Sequence, residues 1–352
     1  MKSCILTHPG FEDLAKEELT RFGVSVSGSG TSTVFFDSNK EQYLHVMRHS
    51  QLARRCLLHL GTFSDLKDVT FPTDFPYADI FTNNTFKIEV ENVKGQENRI
   101  AIAKDVAGKL FEVLKGKNVE GTLELKEPAF FVVVFHTGTE YVIGIDFSVE
   151  ELNIRQYRVF PHSGSFKGDH SFYVVAKSGY QPGSNLLVGF MKDGSFAIEA
   201  GLRTTGKPVR EVDVSSFSFF ADSKFSHKKY EMSGSIFAFD ETTQNFLASR
   251  KNAKLASVQD DITFQKMSIE DLDVKYEKEQ FDTAIFHITT KDESKINEIW
   301  YQLSYVMKKD GNVLFVTREK ATLSISSKFE LVSKGELAKG ESVHLVWLCK
   351  KL

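Results

Sequence analysis

Hydrophobic and polar positions alternate most clearly around Asp240, where they predict a strand, a helix and a second strand. Ser235–Phe239 is an apolar run of strand length that ends at Asp240. Thr242–Leu255 then carries apolar and cationic residues at helical spacing, and Ile262–Phe264 is the next strand. The order is that of one β-α-β crossover, in which an acidic side chain at the end of the first strand can hold a nucleoside ribose. An exposed aspartate after a buried strand is also common without any ligand, so both interpretations stay open.

The same analysis predicts a first α/β pattern at the start of the chain. Strands are expected at Ser3–Thr7 and Val34–Phe36, and helices at Phe11–Phe22 and Glu41–His59. These two strands and two helices are interpreted as part of a small ferredoxin-like sheet, whose full order is β-α-β-β-α-β.

A second α/β pattern starts after a connecting segment that ends near residue 84. It contains a strand, a helix and two further strands, predicted in that order at Phe86–Val90, Ala101–Leu114, Phe130–His136 and Tyr141–Phe147.

Composition narrows the class of protein. The chain has 352 residues, of which 41% are hydrophobic, enough for two or three globular domains. Its longest apolar run, Ala129–Phe135, is too short to span a membrane, and no signal peptide precedes the first strand. The three cysteines are scattered and lack metal-ligand spacing, which predicts reduced thiols, a cytoplasmic protein and no bound metal. A net charge of −3 predicts no broadly cationic surface, so nucleic-acid binding would need the basic residues gathered on one face.

Three stretches of the first half resemble a known family. Together they look like the N-terminal ferredoxin-like domain and the THUMP domain of RNA-modifying enzymes. The three stretches are THPGFEDLAKEEL, TFKIEV and GIDFSVEELNIRQYR. The resemblance implies a ferredoxin-like domain at residues 1–62 and a THUMP domain at 63–160. Because THUMP domains in that family bind the acceptor end of tRNA, it also implies tRNA as a partner.

Binding of an RNA stem requires lysine and arginine side chains that contact phosphates and 2′-hydroxyls. The candidate RNA-binding residues are Lys87, Arg99, Lys104, Arg155 and Arg158. For Arg155 and Arg158 the alternative is a solvated or helix-capping charge.

Residues 161–352 resemble a Rossmann-like class I methyltransferase domain, which uses S-adenosylmethionine. A helix at Phe172–Ser178 and a Pro-Gly break lead into a first strand at Asn185–Gly189, and the crossover around Asp240 follows. Phe281–Phe286 and Asn312–Thr317 fit the fourth and fifth strands, with the helix Asn297–Met307 between them. The closing antiparallel hairpin, Phe329–Val332 with Ser342–Leu348, separates this class from dehydrogenases. The fold class is therefore α/β, with a seven-stranded sheet in this domain.

The first cofactor motif of the family is only partly present. In active members the first strand ends in an acidic residue, followed by a proline and a Gly-x-Gly turn that lets the backbone approach the cofactor. Here Val188 replaces the acid and Lys192 the first glycine, while Phe190 and Met191 fill the turn. The tail, GSFAIEA, fits the family. The resemblance thus implies Gly194, Ser195 and Asp240 as cofactor contacts, in a pocket that the other side chains obstruct.

The substrate motif is absent. Family members that methylate a base amine carry an Asn or Asp, two prolines and an aromatic residue after the fourth strand, whereas this chain has His287-Ile288-Thr289-Thr290. Ser268 likewise replaces an acidic residue of the third motif. His287 is the one candidate for a catalytic group, as a general base, although the sequence supplies no evident carboxylate partner for it.

Two functions follow. The favoured one is a tRNA-binding protein whose methyltransferase domain has lost its activity and serves as a scaffold, a protein-partner surface or part of the RNA clamp. The alternative is an active S-adenosylmethionine-dependent methyltransferase acting on a guanosine exocyclic amine of tRNA. A monomer is expected in both cases. The Phe- and Ser-rich segment Val212–Met232, with its basic His227–Lys229, is interpreted as core, with stacking of Phe219 or Phe220 on a flipped base as the alternative.

Overall fold

The structure is a computed structural model that describes residues 1–223, 234–319 and 323–352. The contacts divide these residues into two compact units. The N-terminal unit contains Met1–Ile154 and the segment that begins at Arg210, and the C-terminal unit contains Arg155–Val209 and the described residues from Gly234 to Leu352. None of the described helices is long and apolar enough to cross a bilayer.

The N-terminal unit is built on one eight-stranded mixed sheet. Its strands are β1 (Lys2–Leu6), β2 (Ser25–Gly30), β3 (Thr33–Asp37), β4 (Arg55–Phe63), β5 (Thr85–Glu91), β6 (Thr122–Leu123), β7 (Phe130–His136) and β8 (Tyr141–Asp146). Their order in the sheet is β2-β3-β1-β4-β8-β7-β5-β6. The helices are α1 (Glu12–Arg21), α2 (Lys40–His49), α3 (Tyr77–Phe81) and α4 (Gln96–Gly116). Because β4 pairs with β8, the sheet is continuous across residue 62, and the domain boundary at 62 stays a prediction.

The helix predicted for Glu41–His59 is wrong beyond His49. A capping box formed by Asn39 and Gln42 starts α2, and the helix ends at His49. Residues 55–63 instead form β4, an interior strand between β1 and β8. Over so few residues the apolar run fits a helix and a strand equally well, and pairing on both sides decides in favour of the strand.

The Phe-rich segment belongs to the core of the N-terminal unit. Phe217, Phe219 and Phe220 are buried. Phe147 lies in the middle of this cluster, with ring centroids 4.9 Å from Phe217 and 5.0 Å from Phe220, and Tyr43 stacks on Phe220. The core interpretation is therefore confirmed for these side chains, which are not available to a flipped base. The basic His227–Lys229 lies outside the described residues.

The C-terminal unit has a seven-stranded sheet. Its strands are β9 (Leu186–Gly189), β10 (Ile236–Asp240), β11 (Ile262–Lys266), β12 (Phe281–His287), β13 (Met307–Arg318), β14 (Phe329–Lys339) and β15 (Ser342–Lys351). The helices are α5 (Gly168–Lys177), α6 (Ser195–Thr205), α7 (Thr243–Leu255), α8 (Leu272–Lys275) and α9 (Glu293–Val306). The order is β11-β10-β9-β12-β13-β15-β14, parallel from β11 to β13 and antiparallel at β15 and β14. This confirms the predicted fold class, including the closing hairpin.

Candidate functional site

The candidate site lies where β9, β10 and β12 end side by side. These parallel strands finish at Gly189, Asp240 and His287. In open α/β sheets, ligands bind beyond the carboxyl ends of the strands, at the point where the strand order reverses. Here β9 is that point, because it pairs with β10 on one side and with β12 on the other.

The turn after β9 has the backbone of a glycine-rich turn without most of its glycines. Phe190, Lys192 and Gly194 have φ angles of 53°, 54° and 83°. Residues with a Cβ rarely adopt this left-handed conformation, so Phe190 and Lys192 are strained. Hydrogen bonds hold the turn, from the Gly194 amide to the Met191 carbonyl at 2.8 Å and from the Ser249 hydroxyl to the Lys192 carbonyl at 2.9 Å.

Side chains fill the space above this turn. Met191 and Lys192 are 4% and 7% exposed. The ring of Phe190 packs 5.7 Å from that of Phe286, centroid to centroid. The cavity that remains between these residues, Phe166 and His287 is about 10 Å³, which is room for roughly one water molecule. In this conformation the cavity therefore has no room for S-adenosylmethionine.

The Asp240 carboxylate is engaged by its own loops. One oxygen accepts hydrogen bonds from the Thr242 amide, the Thr242 hydroxyl and the Asn245 side chain, each at 3.0 Å. The other accepts the Lys192 amide at 3.1 Å. The side chain ties the turn after β9 to the turn after β10.

Gly194 and Ser195, the other predicted cofactor contacts, also contact the protein itself. A Cβ on Gly194 would lie 3.0 Å from the Cβ of Ser249, so the position is tight as well as left-handed. The Ser195 hydroxyl donates to the buried Asp193 at 2.7 Å, at the start of α6. Both residues stand at the predicted place beside the turn, and their cofactor role stays a prediction.

His287 forms a buried pair with Lys192. Nζ of Lys192 lies 2.6 Å from Nδ1 of His287, and the His287 side chain is 4% exposed. Burial lowers the pKa of Lys192 to about 7, and burial followed by the charge of Lys192 holds the pKa of His287 well below its usual value. A neutral His287 ring thus accepts its hydrogen bond from Lys192, which leaves Nδ1 occupied.

Arg155 is the predicted RNA contact that the structure places furthest from solvent. Arg155 and Glu199 are fully buried as a bidentate ion pair, with distances of 2.8 and 3.1 Å. The Tyr157 hydroxyl donates to the same carboxylate at 2.8 Å. The prediction that Arg155 contacts RNA is therefore wrong, because its buried guanidinium has a structural role in the pair with Glu199. Sequence reasoning missed Glu199 as its partner, although both residues lie in stretches that carried the family resemblance.

The other predicted RNA contacts are more accessible. Arg158 is one-fifth exposed and ion-pairs with Asp193 at 2.9 Å. Lys87 is about one-third exposed on β5, next to Glu89 at 2.8 Å. Arg99 and Lys104 are exposed on α4.

The comparisons with known proteins agree with this architecture. A family model described as RMKL-like, methyltransferase domain, matches residues 155–336. TrmN from Thermus thermophilus is similar over 100% of this chain and 99% of its own, at 18% identity and a TM-score of 0.71. A possible methylase from Clostridium difficile 630 is similar over 100% and 98%, at 14% identity and a TM-score of 0.71. SMU.472, solved as a complex with SAH, is similar over 99% and 97%, at 14% identity and a TM-score of 0.72. At these identities the structures establish the fold.

Proposed function

The chain belongs to the RMKL-like methyltransferase domain family, and from that premise we propose that it is a tRNA-binding member that no longer transfers methyl groups. One observation carries the proposal: at the turn that should expose bare backbone to the methyl donor, Met191 and Lys192 line a cavity in which only about 10 Å³ remains.

The strain in this turn supports loss of function. A pocket that binds the methyl donor would favour glycine at position 192, because glycine adopts a left-handed φ of 54° without strain and leaves space for the cofactor. Lys192 instead stands at the position of this glycine and fills the space. Its Nζ is hydrogen-bonded to His287, which stands where the family has its substrate motif. The contact between Lys192 and His287 thus closes both the site for the methyl donor and the site of the candidate general base.

The RNA half of the proposal rests on the resemblance of residues 1–160 to the ferredoxin-like and THUMP domains. Arg99 and Lys104 are exposed, and no carboxylate in the described part of the chain is ion-paired with either, so they are open to phosphates. With Lys87, they are the residues that we propose for the acceptor region of tRNA. We also propose that the protein acts in the cytoplasm as a monomer, and that a protein partner could use the inactive unit.

An active methyltransferase is the second candidate, because Asp240 and the tail Gly194–Ala200 stand where the resemblance expects them. SMU.472, which shares the fold, was solved with SAH. In this case Lys192 would have to leave its buried position, and the Asp240 carboxylate would exchange the Lys192 amide for a ribose hydroxyl.

Two titrations of the full chain test the proposal. Isothermal calorimetry with S-adenosylmethionine is expected to show no binding, and a mobility-shift titration with a tRNA transcript is expected to show saturable binding. Replacing Arg99 and Lys104 by glutamine should weaken tRNA binding about tenfold and reduce its salt dependence. The exposed Lys126, replaced by glutamine, is the matched control. Stoichiometric binding of S-adenosylmethionine would contradict the loss of the donor site and favour the active enzyme, and no binding to tRNA would contradict the RNA half of the proposal.

A further inference from the structure

The C-terminal unit contains a group of five basic side chains, of which Lys339 and His344 lie beside the ring of Phe166 and the other three act on these two electrostatically. We call it the cationic rim, and it consists of Arg158, Lys192, Arg318, Lys339 and His344. Nζ of Lys339 lies 5.2 Å from the centre of the Phe166 ring, and the His344 ring lies 4.9 Å from it. Arg318 is paired with His344 in the β13–β15 ladder, so the two side chains lie on the same face of the sheet.

Acidic groups do not balance the rim. Asp193 is ion-paired with Arg158, and Asp240 is held by backbone and side-chain donors. Among residues 1–223, 234–319 and 323–352, no carboxylate lies within ion-pair distance of Lys339 or Arg318. Of the rim, Arg318 and Lys339 therefore carry positive charges that no carboxylate of the described residues neutralises in an ion pair.

The basic groups affect one another accordingly. Burial lowers the pKa of Lys339, and the charges of Arg158 and Arg318 lower it further while Asp193 opposes them. Burial, then Lys339 and Lys192, lower the pKa of His344. Such mutual depression indicates a positive potential that a bound anion would relieve.

His344 supplies an independent sign of a ligand. Its side chain is 7% exposed, and within the described part of the chain its Nδ1 has no hydrogen-bond partner. A buried polar atom without a partner costs free energy, and such atoms are rare in native proteins. An oxyanion bound by Arg318 and Lys339, on the face of the sheet that carries His344, would accept a hydrogen bond from this nitrogen when it carries a proton.

We infer that the cationic rim binds a phosphate-type oxyanion, and that a backbone phosphate of RNA supplies it. The guanidinium of Arg318 offers the planar donor pair that suits a phosphate, and Lys339 adds a point charge. The oxyanion site rests on the geometry of the C-terminal unit alone, whereas RNA as its source rests on the proposed function. The unit would then retain a contact to the substrate polymer after losing the methyl donor.

The test uses the full chain and two probes, inorganic phosphate and a tRNA transcript. Histidine ring resonances are followed by NMR over a pH series with and without phosphate, and the pKa of His344 is expected to rise when phosphate is present. The double variant Arg318→Gln/Lys339→Gln should abolish this rise and weaken tRNA binding about tenfold, with the salt slope smaller by about 1 to 2. Lys334→Gln, a change on the same strand β14 at an exposed lysine, is the matched control and should behave like the unaltered protein.

The outcomes separate the two proposals. An unchanged His344 pKa in phosphate would overturn the oxyanion site. A phosphate response with unaltered tRNA affinity in the double variant would overturn RNA as the source. Calorimetric binding of S-adenosylmethionine would remove the inactive assignment without affecting either result. His344→Gln is a second variant that leaves both flanking cations in place and should reduce phosphate binding by itself.

Discussion

Two turns follow strands at the same edge of the C-terminal sheet, and they differ in how well their residues match the family pattern. The turn after β9 carries Phe190, Met191 and Lys192 in a backbone conformation suited to glycine. The turn after β10 keeps Asp240, which resembles a ribose-binding acid. Yet the Asp240 carboxylate accepts hydrogen bonds from Thr242 and Lys192, so it connects the two turns. The comparison shows that a residue in a motif position can have both carboxylate oxygens hydrogen-bonded within the protein itself.

The same lesson applies inside the first motif. Its head has lost the acid and the first glycine, while its tail, Gly194–Ala200, matches the family pattern. Glu199 in this tail holds Arg155 and Tyr157 in the buried interior. Glu199 therefore has a structural role in the tail, and three substitutions can measure the structural contribution of each part.

The largest effect is expected at the tail. Glu199→Ala leaves the fully buried Arg155 without its bidentate partner, and the free energy of unfolding should fall by roughly 3–5 kcal/mol. Urea unfolding followed by circular dichroism measures this.

Two further variants serve as controls for this experiment. Glu336→Ala removes an exposed glutamate and should change stability by less than about 0.5 kcal/mol. The double change Arg155→Met/Glu199→Leu removes both charges and should recover most of the loss. A small effect of Glu199→Ala alone would mean that the tail is not held by this pair.

A substitution in the head of the first motif, at Lys192, should raise the free energy of unfolding rather than lower it. Because the pKa of Lys192 is about 7 in the folded state and 10.5 is its ordinary value, the buried charge destabilises the fold fully below pH 7. Between these values the unfolded chain keeps the proton that the folded chain has released, so the penalty declines as pH rises. Lys192→Met should therefore raise the free energy of unfolding by roughly 2 kcal/mol at pH 6, and by less at pH 9.5.

Urea unfolding at the two pH values measures the gain, with Lys309→Met, at an exposed lysine, as the matched control. A gain that does not change with pH would show that Lys192 is not buried as an amine that titrates near neutrality.

The smallest effect is expected at Asp240. Asp240→Asn keeps one acceptor oxygen but replaces the one that faces the Lys192 amide, so stability should fall by about 1 kcal/mol. Thermal unfolding compares it with the exposed Asp260→Asn. Unaltered stability, together with loss of binding to S-adenosylmethionine, would identify Asp240 as a ligand contact and sharpen the case for an active enzyme.

Local patterns in the sequence determined a good part of this protein. Hydrophobic periodicity located the crossover around Asp240, because alternation along a strand and spacing along a helix are properties of neighbouring residues. The resemblance to the methyltransferase class located the closing hairpin. The same sequence showed that Lys192 replaces the first glycine after β9 and that Phe190 and Met191 are large side chains in the turn. Periodicity failed at residues 55–63, where a short apolar run fits two structures and only pairing with β1 and β8 chose between them.

The tertiary structure alone decided which side chains meet. Arg155 and Glu199 are 44 positions apart, and no pattern of spacing predicts that the arginine is buried beside this carboxylate rather than exposed to RNA. The cationic rim likewise joins residues from a loop, a turn and three strands, and the Phe-rich segment packs into the N-terminal core. Periodicity is local, whereas burial, ion pairing and the size of a cavity depend on how distant segments pack, and that is why the sequence determined the elements and the fold determined the chemistry between them.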